Sequence, residues 1–122
     1  MRILVVDDSS TMRRIITNTL KKIGCDDIVE AGNGVEGLRE VRSGGIDFVV
    51  TDWNMPVMNG LEFVRELRGM AAAHKLPVLM VTTNAESTDI AGAREAGVND
   101  YVVKPFTVDA LKDKMTALMG AM

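Results

Sequence analysis

A chain of 122 residues with 47% apolar and 25% charged side chains has globular proportions, and its length suits one domain burying roughly two-thirds of its unfolded surface. A formal charge of −3 and a pI near 5.1 set it apart from general nucleic-acid binders, which carry a basic footprint. The single cysteine, Cys25, allows no intrachain disulfide and suits a reducing cytoplasm; no apolar run approaches the ~18 residues needed to span a bilayer, and acids at positions 7 and 8 interrupt any signal-peptide core.

In chain order, Arg2 to Val6 reads as a first strand. Ser9, Ser10 or Thr11 then caps a helix carrying Met12, Ile15, Ile16, Thr19, Leu20 and Ile23 as an apolar stripe, ended by Gly24. Asp27 to Glu30 is a short peripheral strand. Asn33 with Glu36 resembles a capping box for a helix with Val35, Leu38 and Val41, and Gly44-Gly45 ends it. Phe48 to Asp52 is an apolar run suited to a buried parallel strand, closed by a carboxylate and, after Trp53, Asn54 and Met55, by Pro56. Residues 57–60 read as loop, and Leu61, Val64 and Leu67 mark a third helix ending at Gly69.

The fourth strand is 78–82. Glu86 to Ala96 is a weakly amphipathic helix rich in Ala and Gly, with few large anchors, and is expected to be mobile relative to its neighbours. The fifth strand is 100–104, and Thr107 caps a last helix with Val108, Leu111, Met115, Leu118 and Met119 on one face. Strand followed by helix, repeated through the chain, predicts an α/β fold over 1–122 as one domain: a doubly wound, five-stranded parallel sheet with five helices.

The apolar runs share a feature. They end in Asp7-Asp8, Asp52, Thr82-Thr83 and Lys104-Pro105, all at carboxyl ends, where open α/β sheets place their ligands. Each alone reads blandly, an Asp-Asp pair as a turn and cap, a Lys-Pro as a loop. Together, on adjacent strands, they form a site. Three clustered carboxylates repel and raise one another's pKa unless a cation binds. Hard oxygen donors suit Mg²⁺, and a carboxylate beside it can attack phosphorus to form an aspartyl phosphate. Lys104 would neutralise the transferred charge, and the Thr82 hydroxyl would donate to its oxygens.

Here a resemblance becomes specific. Leu4-Val5-Val6-Asp7-Asp8, Ser10-Thr11-Met12-Arg13-Arg14, Asp52-Trp53-Asn54-Met55-Pro56, residues 76–82 and Tyr101-Val102-Val103-Lys104-Pro105-Phe106-Thr107 resemble the receiver domain of two-component signalling, and closely resemble chemotaxis response regulators of the CheY type. The flavodoxin-like strand order 2-1-3-4-5 is the one described for flavodoxin and CheY themselves, so it comes with the resemblance, and the apolar runs alone leave the order open. The resemblance implies a stand-alone cytoplasmic monomer that is no enzyme beyond its own phosphotransfer and autodephosphorylation. It implies Asp52 as phosphoacceptor from a histidine kinase, with Asp8, Asp52 and the Asn54 carbonyl as Mg²⁺ ligands and Asp7 acting through water. It further implies Lys104 on the phosphoryl group, Thr82 and Tyr101 as a switch pair, a cis Lys104-Pro105 bond, and output to a flagellar motor switch protein through helix 4, strand 5 and helix 5.

Some positions depart from that pattern. Ser9 replaces a bulky aromatic, Asn84 an acid, and Glu86-Ser87-Thr88 a lysine-rich helix start, which bears on dephosphorylation and on any dedicated phosphatase partner. Competing readings are a receiver of another pathway, as a phosphorelay carrier or part of a transcriptional regulator, and a phosphatase using Asp52 as nucleophile. The latter needs a second acid two residues on, where Asn54 stands. Trp53 is expected to flank the site without chemistry, His74 to be a solvated loop residue, and Arg13 and Arg14 to form a solvated helix face. Met55 and Met58 are expected to line the site's loop.

Overall fold

The computed structural model describes residues 1–71, 73, 75–83 and 87–120. His74, Asn84 and Glu86 lie outside the described residues, as do the side chains of Ser87 and Thr88. Five strands and five helices alternate: β1 (Ile3–Val6), α1 (Ser10–Lys22), β2 (Ile28–Ala31), α2 (Gly34–Arg42), β3 (Phe48–Asp52), α3 (Gly60–Arg68), β4 (Val78–Thr82), α4 (Ser87–Ala96), β5 (Asp100–Val103) and α5 (Val108–Gly120). All strand pairs are parallel, in the order β2-β1-β3-β4-β5. The doubly wound topology expected from the sequence is therefore the one observed.

Alternation along the strands builds two cores. Leu4, Val6, Val49, Val78 and Met80 pack with Leu38 and Val41 of α2, Phe63, Val64 and Leu67 of α3, and Ala93 of α4. The opposite face joins Ile3, Val5, Phe48, Val50, Leu79 and Val81 to Ile16 and Leu20 of α1 and to Leu111 and Met115 of α5. Both faces of β1, β3 and β4 are covered, which is why these strands are continuous apolar runs. Each fully buried Leu, Ile or Phe contributes roughly 1.5–3 kcal/mol relative to exposure. Among the described residues no helix is long and apolar enough to cross a membrane.

The helix ends differ in detail from expectation. Ser9 is the N-cap of α1, its Oγ accepting from Met12 N at 3.2 Å. Asn33 caps α2 by accepting from Glu36 N, but Glu36 turns its carboxylate to Gly32 N, so the box is not reciprocal there. The reciprocal box is at α3, where Asn59 and Glu62 each accept the other's N–H. Gly60, expected in the loop, is the first residue of that helix. Strand β5 ends at Val103, one residue short of expectation, although Lys104 N still donates to the Thr82 carbonyl at 2.8 Å. The Lys104-Pro105 peptide is cis.

Arg68, at the end of α3, ties three segments together. Its guanidinium donates to the carbonyls of Ala73, Leu76 and Gly97 and to Asn99 Oδ1. Gly97 has φ +115°, and a Cβ there would meet the Arg68 side chain at 2.7 Å. Both facts require glycine at the turn between α4 and β5.

Candidate functional site

Parallel register sets the site. Val6 pairs with Thr51, so the next residue on each strand, Asp7 and Asp52, emerges at the same level of the sheet edge. Asp8 follows. Carboxylate oxygens of Asp7, Asp8 and Asp52 lie within 4.8 Å of one another. Asp7 is 1% and Asp52 8% exposed, whereas Asp8 faces solvent. From beyond β5, Lys104 reaches across the end of β4, placing Nζ 3.2 Å from Asp52 Oδ1 and 3.6 Å from Asp7 Oδ2.

The two buried carboxylates are held differently. Asp52 Oδ1 accepts from Trp53 N at 2.8 Å and faces Lys104, while among the described residues no donor engages Oδ2. Asp7 Oδ1 accepts from Ser9 N at 2.9 Å, but Asp7 Oδ2 is buried without a hydrogen-bond partner among the described residues. Burial pushes the Asp7 carboxyl above its ordinary range, helped by the negative charges of Asp52 and Asp8 and opposed by Ser9 N–H and Lys104. A buried oxygen of this kind, beside two further carboxylates, fits a hard divalent cation.

The residues predicted for the site are not all gathered at one point. Asp7, Asp8, Asp52 and Lys104 meet. Thr82 is the buried last residue of β4, on the same edge. Tyr101 pairs with Met80, two register steps back from the Thr82–Val103 pair, so it shares the Thr82 face of the sheet. Asn54 is exposed in the loop after β3. Trp53 contributes its backbone N–H to Asp52, while its side chain packs against the α2–α3 side of the core. Met55 and Met58 pack there too, with Met58 lying where a Cβ on Gly34 would be.

Two residues matter more than their sequence context suggests. Arg13 is not a merely solvated residue: its Nη1 donates to the Asp7 carbonyl at 2.6 Å while Nε pairs with Glu30 at 3.1 Å. It thus fixes the backbone that carries the acidic pair. Gly60 opens α3 directly beneath the site, its N–H bonding the Trp53 carbonyl at 2.7 Å. A Cβ at Gly60 would collide with the Asp52 carbonyl oxygen and approach Trp53 Cα to 2.9 Å. Nothing local in the sequence announces that contact, because it is made across the loop that joins β3 to α3.

Residues 3–116 match the model of the response regulator receiver domain. The chain belongs to the response regulator receiver family. It is 48% identical over 121 residues to a chemotaxis protein CheY homolog of Campylobacter jejuni, covering 98% of this chain and 93% of that one. Among solved structures it is similar to the Vibrio cholerae chemotaxis protein CheY4, with TM-score 0.90, 31% identity, and 96% and 97% of the two chains covered. It is also similar to the response regulator TrrA of Thermotoga maritima, solved in complex with Mg²⁺-BeF, with TM-score 0.84, 35% identity and the same coverage. The receiver is thus CheY-like, a signalling module whose relatives are named for chemotaxis, and its acidic pocket lies where strands β1 and β3 end.

Proposed function

We propose that this receiver accepts a phosphoryl group on Asp52 from a histidine kinase, with Mg²⁺, and thereby changes its affinity for a flagellar motor switch protein. The observation that carries the reading is the arrangement of Asp52: Oδ1 is held by Trp53 N–H and Lys104, and Oδ2 has no donor among the described residues. A carboxylate so oriented presents one oxygen as nucleophile. In the transfer, Asp52 Oδ2 forms the new bond to phosphorus, the phosphorus–nitrogen bond of phosphohistidine breaks, and the imidazole leaves with the electron pair and takes up a proton. Lys104 then offsets the negative charge gained on the oxygens.

Asp7, Asp8, Asp52 and the Asn54 carbonyl are the groups that would hold Mg²⁺, Asp7 through water. When bound, the cation supplies charge neutralisation for the carboxylates and the phosphoryl oxygens. The switch pair is the one the family resemblance implies, and its two members share a face of the sheet. The Thr82 hydroxyl moves toward the phosphoryl oxygens, vacating space on the sheet face it shares with Tyr101, and Tyr101 turns in. The surface of α4, β5 and α5 then changes its affinity for a partner, by biasing an existing equilibrium. The receiver would act as a cytoplasmic monomer, and a phosphatase partner is compatible with this scheme.

Acetyl phosphate with Mg²⁺ should label Asp52 alone, as a hydroxylamine-labile acyl phosphate located by peptide mass spectrometry. Asp52→Asn should abolish the label, because an amide is a poor nucleophile. Label located on Ser, Thr or His74 in place of Asp52 would overturn the reading.

A further inference from the structure

We infer that Asp100 and Lys114 form a clasp on the edge strand that positions the Tyr101 ring and sets the resting population of the switch. Strand β5 is the edge of the sheet. Its first residue, Asp100, receives Lys114 Nζ of α5 at 3.2 Å on both oxygens, and Arg94 Nη2 of α4 at 3.4 Å. The same carboxylate accepts from Tyr101 N at 2.8 Å. Lys114 Nζ in turn lies 5.3 Å from the centroid of the Tyr101 ring. One ammonium therefore has partners on two consecutive residues of β5, a carboxylate and an aromatic face.

The geometry makes this more than a surface pair. Isolated exposed ion pairs contribute little, but here the carboxylate is the least exposed member, at 20% against 39% for Lys114 and 52% for Arg94. It is further fixed by its own strand's N–H. An ammonium held by so anchored a carboxylate cannot follow the ring when the ring moves. Turning Tyr101 away therefore forfeits the cation–ring attraction, and the clasp weights the equilibrium toward the orientation seen here. Asp100 and Lys114 are positioning residues: neither touches the acidic pocket. The inference rests on the proposed role of Tyr101 as a moving switch residue.

Tyr101 is the only tyrosine in the chain, so 3-fluorotyrosine labelling yields one ¹⁹F resonance from that ring. The protein is titrated with beryllofluoride at saturating Mg²⁺, and the midpoint of the ¹⁹F change is read for wild type, Asp100→Asn, Lys114→Gln, Lys114→Arg and Arg94→Gln. Loss of a cation–ring contact at a partly exposed site predicts a midpoint displaced about two- to five-fold, in the same direction, in Asp100→Asn and Lys114→Gln. Lys114→Arg and Arg94→Gln should stay near wild type, since each leaves a cation on the ring. Wild-type midpoints in both Asp100→Asn and Lys114→Gln overturn the clasp. An equal shift in Arg94→Gln assigns the effect to net charge and also overturns it. A wild-type ¹⁹F signal unmoved by beryllofluoride while Trp53 fluorescence responds would overturn the Tyr101 switch itself, and the clasp with it.

Discussion

Asp7 carries one oxygen bonded to Ser9 N–H and one that is buried with no hydrogen-bond partner among the described residues. Its carboxyl is raised above the ordinary value of 3.8 chiefly by burial. The folded chain therefore binds this proton more tightly than the unfolded chain, and stability falls as pH rises from the ordinary value through the raised one. At neutral pH Asp7 costs the fold stability. Asp7→Asn, whose amide oxygen can still accept from Ser9, should melt higher than wild type in chelator at neutral pH. The difference should shrink as pH falls through the raised value, because wild-type Asp7 then takes up its proton. Thermal melts across that range check it; an Asp7→Asn protein that melts no higher at neutral pH would mean Lys104 and Ser9 N–H fully offset the burial. Asp7, Asp52 and Lys104 are legible in the sequence because each terminates an apolar run, a local signal. Arg13 and Gly60 are not, because their roles arise from contacts with the Asp7 and Trp53 carbonyls that only the folded chain creates.

The helix α3 begins where β3 delivers Asp52, and its first turn is held by the reciprocal Asn59–Glu62 bonds. Without the Asn59 side chain, Glu62 N loses its acceptor. Asn59→Ala should cost about 1 kcal/mol, or roughly 3–6 °C in melting temperature for a domain of this size. Asn59→Gly should cost only roughly a few tenths of a kcal/mol, because glycine tolerates the cap backbone and leaves the N–H open to water. Equal losses in both variants would show that Asn59 acts through packing and not as a cap. The sequence hides this helix start because Asn-Gly reads as a turn dipeptide. It shows a box at Asn33–Glu36 that proves half-formed, since Glu36 finds Gly32 N instead. Element identity is legible from apolar periodicity, and the donor at each end is not, because neighbouring N–H groups lie within reach of one flexible carboxylate.

Across the whole molecule, strand order sets how the acidic pocket relates to the β5 edge. The residues predict the alternation of strands and helices, but the order β2-β1-β3-β4-β5 comes from the family resemblance, since apolar runs do not say which neighbour they pair with. That order puts β4 between the Asp52 strand and the Tyr101 strand, so in the proposed function Thr82 and Lys104 link Asp52 to the β5 side of the sheet. A phosphoryl group on Asp52 would reach the α4–β5–α5 surface through these two side chains. Lys104→Ala should still accept phosphate, since the nucleophile and the carboxylate cluster remain, but should lose most of the gain in partner affinity. Thr82→Ala should weaken the same coupling, because no hydroxyl moves to release Tyr101. A coupling of roughly 1–3 kcal/mol is ordinary for two-state proteins, about 5- to 150-fold in affinity. Calorimetric titration of a motor-switch peptide into wild type and both variants, with and without beryllofluoride, measures it. If both variants keep the full beryllofluoride-dependent gain, the signal reaches the partner without passing through β4 and β5.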